Sequence, residues 1–295
     1  MYKKTSKKVK NYFSLVKFSH TIFAMPFAFI GYFLALQQTN SVFDWKLLLL
    51  VVLCMIFARN AAMAFNRFID REIDIKNPRT AIREIPAGII KAKSAFIFVV
   101  INSLLFIVTT YFINELTFHL SPVALLIILG YSITKKFTAL CHLVLGLGLS
   151  LAPIGAYLAV TGEFALLPVI YSFVVLLWVS GFDIIYALQD LDFDKEEQLK
   201  SLPVFFGKKG ALTASNILHF LSAGLVIFSG ILAEFGLMYW IGCVFFIGLL
   251  FYQHTLVKPN DLSKVNVAFF TTNGIASVIF AVFTITELVF EIWVL

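Results

Sequence analysis

Charged side chains are scarce in this sequence. Asp, Glu, Lys and Arg make up 14% of its 295 residues, against about 25% in an average soluble domain. The polar helix faces and turn clusters that a soluble α/β protein of this length needs are missing. Cysteine is scarce as well. Cys54, Cys141 and Cys243 stand singly inside apolar runs, no two have metal-ligand spacing, and they read as small apolar packing residues. No linker divides the chain, so residues 1–295 are expected to form one domain. The basic N-terminal stretch MYKKTSKKVK precedes an apolar run too long for a signal-peptide core and lacks a convincing cleavage site, so a retained first helix is expected.

In place of charge the chain has apolar residues, 60% of the total. Runs near twenty residues recur from end to end, the pattern of an all-α, multispanning membrane protein. Nine spans are expected: Phe18–Leu36, Leu47–Phe65, Ala95–Ile113, Leu116–Thr134, Ala139–Val160, Phe164–Leu188, Ala211–Leu232, Phe235–Leu256 and Val267–Val294. His119 and Pro122 shorten the apolar part of the fourth, and Glu287 lies near the end of the ninth. The 33 Phe are expected mostly to face lipid or pack helices.

The net charge is +6. In a soluble protein that would hint at nucleic acid, but here the cations sit between apolar runs, and no nucleic-acid partner is expected. With the N-terminus inside, the inside segments collect almost every Lys and Arg. The outside segments hold only Lys46, and Arg59 is left inside the second span. The asymmetry favours a multi-pass protein of the cytoplasmic (inner) membrane with its N-terminus cytoplasmic. The ends of the second and sixth spans then emerge on the same, cytoplasmic face.

Both ends are acidic. Asn66, Asp70 and Asp74 are spaced by four, a rotation of about 40° per step, so the three side chains share one helix face. Arg67, Arg71, Arg79 and Arg83 crowd the same stretch. Alone, such a motif could be a solvated helix end with i, i+4 ion pairs. Equally, it offers the hard oxygens and one or two carboxylates that suit Mg²⁺. The second cluster favours the metal reading. Asp183, Asp190 and Asp194 share a face, and Asp183 lies within an apolar span, where an ionisable side chain is costly and functional by default. Asp192 falls off that face and is expected to be solvated. Two carboxylate clusters on one membrane side, with cations around them, suit a metal-bound polyphosphate. Tyr131 and Lys135, one turn apart at the inside end of the fourth span, can reach one phosphate, or can simply anchor the span. Lys17 and His20 open the first span. They could meet an acidic substrate group, or be a snorkelling lysine and a partnered histidine.

Taken together, Asn66-xxx-Asp70-xxx-Asp74, Tyr131-xxx-Lys135 and Asp183-xx-Tyr186-xxx-Asp190-xxx-Asp194 closely resemble the motifs of the UbiA superfamily of intramembrane prenyltransferases. The segment Arg79 to Gly88 resembles the loop after that family's first aspartate motif, and Lys200-Ser201 with Phe206-Gly207 the segment after its second. The resemblance implies a bundle of nine helices around a central cavity, with loops capping its cytoplasmic mouth. It implies Mg²⁺, a polyprenyl diphosphate donor and a hydroxylated aromatic acid, 4-hydroxybenzoate or a hydroxynaphthoate, in quinone biosynthesis.

On that basis Asn66, Asp70 and Asp74 would hold one Mg²⁺–diphosphate centre and Asp190 and Asp194 a second, with Lys135 and Arg67 neutralising the leaving group. Tyr131 would orient Lys135 or face the allylic carbon. Asp183 would orient the acceptor or assist its proton loss, and Arg79, Arg83, Tyr186 and Lys200 would complete the substrate site. Relatives that prenylate 4-hydroxybenzoate usually carry an arginine near the start of the first helix, where this chain has Lys17-Phe-Ser-His20. Lys17 is expected to take that charge's place. No obligate protein partner is evident. The other readings are a sister prenyltransferase acting on haem, a chlorin or a glycerol ether lipid, and, from another class, an ion-coupled transporter. A transporter would need carboxylates near mid-membrane, and here most lie at one surface.

Overall fold

The structure, a computed structural model, describes residues 11–16 and 23–294. Apart from an isolated bridge between Lys258 and Asp261, the regular structure among the described residues is helical. The long helices are α1 (Met25–Thr39), α2 (Trp45–Ile69), α4 (Ala92–Tyr111), α5 (Glu115–Thr134), α6 (Cys141–Thr161), α7 (Leu166–Ala187), α9 (Leu202–Leu232), α10 (Leu237–Leu256) and α11 (Asn273–Val294). Two short helices follow the acidic span ends: α3 (Arg71–Lys76) after α2, and α8 (Leu191–Glu196) after α7.

Local chemistry explains many of these boundaries. Asp44 starts α2 by accepting the Lys46 N–H, Asn114 starts α5 by accepting that of Thr117, and Ser201 starts α9 by accepting that of Val204. Each satisfies a donor that the first turn leaves open. Helix α6 stops at Gly162, whose φ of 68° lies in the left-handed region, as helix ends commonly do.

Eight described helices are long and apolar enough to cross a bilayer, where nine spans were expected. The difference lies at the first. Helix α1 has 15 residues, about 22 Å of rise against the roughly 30 Å of a hydrocarbon core, and residues 18–22 of the expected span are outside the described ones. Pro122 does not break α5. The other departures are at span ends. Helix α9 begins at Leu202 rather than Ala211 and turns at Gly207 (φ 67°, ψ 178°). The last span opens with a π-helical turn, Val267–Thr272.

The bundle closes on itself. Helix α1 packs on both α6 and α11, α6 on α5 and α7, α7 on α9, and α10 on α11, while α2, α4 and α5 form the other wall. Contact is close where glycine allows it: a Cβ on Gly31 would lie 2.0 Å from the Pro153 carbonyl oxygen, so α1 and α6 meet backbone to backbone. Aromatic side chains fill the centre, Phe27, Trp178, Phe246 and Phe280 packing ring to ring. Many side chains on the outside, such as Leu126 and Phe220, are exposed apolar groups, as a lipid-facing surface requires.

Candidate active site

The two acidic span ends face each other across one cavity of about 280 Å³. Asn66, Arg67 and Asp70 come from the end of α2. The chain turns at Asp70 (φ −87°, ψ 1°) into α3, so Asp74 reaches the cavity from a second short helix rather than from one continuous face. Within the cluster the Asn66 amide donates to Asp70 Oδ2 at 3.0 Å. From the opposite wall α7 supplies Asp183 and Tyr186, a 3-10 turn supplies Asp190, and α8 supplies Asp194. Tyr131 and Lys135 enter from the end of α5.

The loop after α3 folds over this cavity and supplies counter-charges. Arg79 holds Asp190 with two N–H groups and donates a third to the Tyr186 hydroxyl at 3.0 Å. Asn77 also donates to Asp190, at 3.0 Å. Arg83 donates to Asp74 Oδ1 at 2.6 Å, and Lys135 to Asp194 Oδ1 at 2.7 Å. Burial works to lower the Arg79 guanidinium, but Asp190 outweighs it and raises it above the usual arginine value. Three of the carboxylates are thus each engaged by a cation.

Asp70 is not so engaged. Burial first, and Asp74 second, push its carboxyl up to about 6, against the opposing pull of Lys135, Lys136 and Arg83. Buried Asp74 Oδ2 has no hydrogen-bond partner, and neither do buried Arg67 Nε and Arg59 Nε. Unpartnered buried polar atoms call for explanation. Here both signs occur in one cavity, acceptors that suit a hard cation and donors that suit an anion. The residues therefore fit Mg²⁺ together with phosphate. Among the described residues no group of three or more His, Cys, Asp or Glu lies close enough to hold a metal alone. Mg²⁺ commonly takes one or two carboxylates and fills its shell with water and substrate phosphate.

Asn66, Arg67, Asp70, Asp74, Arg79, Arg83, Tyr131, Lys135, Asp183, Tyr186, Asp190 and Asp194 all line this cavity. Lys200 does not have its side chain there. That side chain is exposed, and the residue acts through its backbone, donating its N–H to the Lys135 carbonyl at 2.8 Å. Lys17 and His20 lie outside the described residues. Asp192 is exposed, as expected.

Among the lining residues outside the expected site groups, two stand out. Arg59 belongs to the cavity wall, and its sequence signal was a cation inside an apolar span, functional by default. His142, on α6, pairs with Asp183 at 2.7 Å, and nothing in its sequence neighbourhood marks it.

A second cavity, about 360 Å³, lies between α2, α4, α5 and α6 and is lined almost wholly by apolar side chains. Arg59, Tyr131, Leu145 and Leu149 line both cavities. The polar site and the apolar chamber therefore adjoin along a strip that carries one guanidinium and one phenol.

The sequence matches the UbiA prenyltransferase family over residues 24–275. It is 31% identical over 244 residues to a 4-hydroxybenzoate octaprenyltransferase of Aliivibrio fischeri (strain MJ11), covering 80% of this chain and 82% of that one. The fold matches the apo structure of a UbiA homolog from Aeropyrum pernix K1 with a TM-score of 0.82 and 30% identity, covering 91% of this chain and 98% of that one. It also matches a UbiA homolog from Archaeoglobus fulgidus bound to GPP and Mg²⁺, with a TM-score of 0.73 and 21% identity, over 95% and 99% of the two chains.

Proposed function

Because the chain belongs to the UbiA prenyltransferase family, we propose that it moves a prenyl group from a polyprenyl diphosphate to a hydroxylated aromatic acid of the 4-hydroxybenzoate type, in quinone biosynthesis. The observation that carries this reading is the junction of the two cavities. A polar site with two carboxylate clusters adjoins an apolar chamber, and Arg59 stands between them with a buried, unpartnered Nε–H. A diphosphate, a polyisoprenoid tail and an aromatic carboxylate each find matching chemistry there.

Mg²⁺, held by Asn66, Asp70 and Asp74 on one side and Asp190 and Asp194 on the other, would neutralise charge on the departing diphosphate. The protein's own groups do the rest. Arg67 and Arg83 offer N–H donors to phosphate oxygens, and Lys135 and Arg79 can exchange their carboxylate partners for phosphate. Tyr131 faces the allylic carbon at the strip between the cavities. Leu145 and Leu149 exclude water from the developing allylic cation. Arg59 takes the acceptor carboxylate, a place the sequence reading offered to Lys17, and Asp183 meets the ring hydroxyl. The cavity opens to the cytoplasmic side in the orientation that the Lys and Arg asymmetry favours.

The test is transfer of label from a polyprenyl diphosphate to a panel of acceptors in membranes containing the protein. The expected outcome is Mg²⁺-dependent labelling of 4-hydroxybenzoate or a hydroxynaphthoate that EDTA abolishes. Labelling only of haem, a chlorin or a glycerol ether lipid would reassign the acceptor class. No transfer to any of them would overturn the reading.

A further inference from the structure

The wall of the polar cavity holds one acid–base pair that diphosphate binding does not use. His142 is 3% exposed, and its Nδ1 lies 2.7 Å from Asp183 Oδ2. A carboxylate only accepts, so Nδ1 carries the proton and donates it. The Asp183 side chain is 21% exposed and lines the cavity beside Phe182, Tyr186 and Phe269. His142 thus grips one oxygen of a carboxylate whose side chain still reaches the cavity.

The pair is rigidly mounted. The Ser180 hydroxyl, on α7, lies 3.1 Å from the His142 carbonyl oxygen and 2.6 Å from that of Leu176. One turn along α6, a Cβ on Gly146 would stand 2.4 Å from the Leu176 carbonyl oxygen. Helices α6 and α7 therefore meet backbone to backbone beside the pair, which fixes the distance between their side chains. The partner type also sets Asp183 apart. Asp74, Asp190 and Asp194 are each met by an arginine or lysine, which brings a permanent positive charge. Asp183 is met instead by a histidine ring, which holds one of its oxygens through a single N–H.

Resting on the functional reading above, we propose that His142 is a positioning residue of the transfer step. It holds Asp183 so that Oδ1 receives the proton of the acceptor's ring hydroxyl. The ring carbon beside the hydroxyl bonds to the allylic carbon, and the bond from that carbon to the diphosphate oxygen breaks, its electron pair leaving with diphosphate. Asp183 takes the hydroxyl proton, and the ring becomes a neutral dienone. The hydrogen on the newly substituted carbon then leaves as a proton to diphosphate. Asp183 returns its proton to the ring oxygen, and aromaticity is restored. The sum is one C–C bond formed, one C–O bond broken and one proton carried away on diphosphate.

The experiment compares 4-hydroxybenzoate with 3-fluoro-4-hydroxybenzoate, whose hydroxyl is more acidic and needs less help to ionise. Both are assayed with wild type, His142→Leu, His142→Gln and Asp183→Asn. His142→Leu is expected to lower kcat/KM for 4-hydroxybenzoate about 10- to 100-fold, the scale of losing one hydrogen bond to a charged group. The loss should be clearly smaller for the fluorinated acid, with the donor KM unchanged. His142→Gln, whose amide still donates to Asp183, should restore most of the activity, and Asp183→Asn should show the same dependence on acceptor acidity. Equal losses on both acids without rescue by His142→Gln would overturn the proposal, as would a loss confined to the donor KM. If the wild type transfers to neither acid, the functional reading itself falls. If the wild type is active and His142→Leu matches it, only the positioning role falls.

Discussion

At the scale of single residues, the site holds its carboxylates in unequal states. Asp190 and Asp194 sit in ion pairs, whereas Asp70, buried and beside Asp74, has its carboxyl raised to about 6. Removing one charge from either cluster should stop the reaction without unfolding the chain. Asp70→Asn and Asp190→Asn are each expected to leave less than a tenth of wild-type turnover in a folded protein. A variant keeping more than that would have lost under about 1.4 kcal/mol of barrier, too little for a direct metal ligand. Arg59 and Lys17 compete for the acceptor carboxylate, and saturation curves separate them. Arg59→Ala should raise the acceptor KM and cost about 1.5–3 kcal/mol in kcat/KM, the worth of a hydrogen bond to a charged group, while leaving the donor KM alone. If Lys17→Ala has that effect and Arg59→Ala does not, the carboxylate belongs at the first span. The carboxylates were legible in the sequence as two acidic clusters spaced by four, although breaks at Asp70 and Asp190 carry Asp74 and Asp194 on separate short helices, and Arg59 was visible as a cation among apolar residues. The pairs Arg79–Asp190 and His142–Asp183 join residues 111 and 41 apart. Only folding brings them together, so no local pattern could announce them.

At the scale of elements, the informative ones are irregular. The π-helical turn Val267–Thr272 adjoins buried Asn273. The Asn273 amide donates to the carbonyl oxygens of Ala268 at 2.8 Å and Phe269 at 3.1 Å, and to Gln253 Oε1 at 3.1 Å. Its own oxygen accepts the Trp178 indole N–H at 2.8 Å. One amide thus ties the turn to α7 and α10. The turn carries Phe269, whose ring stacks on Tyr186 with centroids 4.1 Å apart, and Tyr186 accepts from Arg79. A π-turn is often found at a functional site, and here it backs the residue that steadies the capping loop. Asn273→Leu strands the Trp178 N–H in an apolar core, at about 1–3 kcal/mol for each group left unpaired. A lowered Tm in detergent and a raised donor KM are expected, and an unchanged Tm would show that the network carries no load. The spans themselves were legible from apolar run length. The turn at Asp70, the turn at Gly207 and the π-turn were not, because each depends on contacts outside its own segment.

At the scale of the whole molecule, charge predicts the orientation. Lys76 and Lys200 are both exposed on loops that the Lys and Arg asymmetry assigns to the cytoplasm. Cysteines placed at either position should react with an impermeant reagent only from the cytoplasmic side, and labelling from outside would reverse the assignment. The apolar chamber has a different kind of consequence. Val123, on the span α5, lines it and is exposed, which predicts an opening toward the surrounding lipid. On the proposed function, a polyisoprenoid would enter and leave sideways, by two-dimensional diffusion, without crossing into water. The concentration the enzyme senses is the donor's mole fraction in the bilayer rather than its amount per volume of solution. Adding inert lipid at constant total donor should therefore slow turnover by surface dilution.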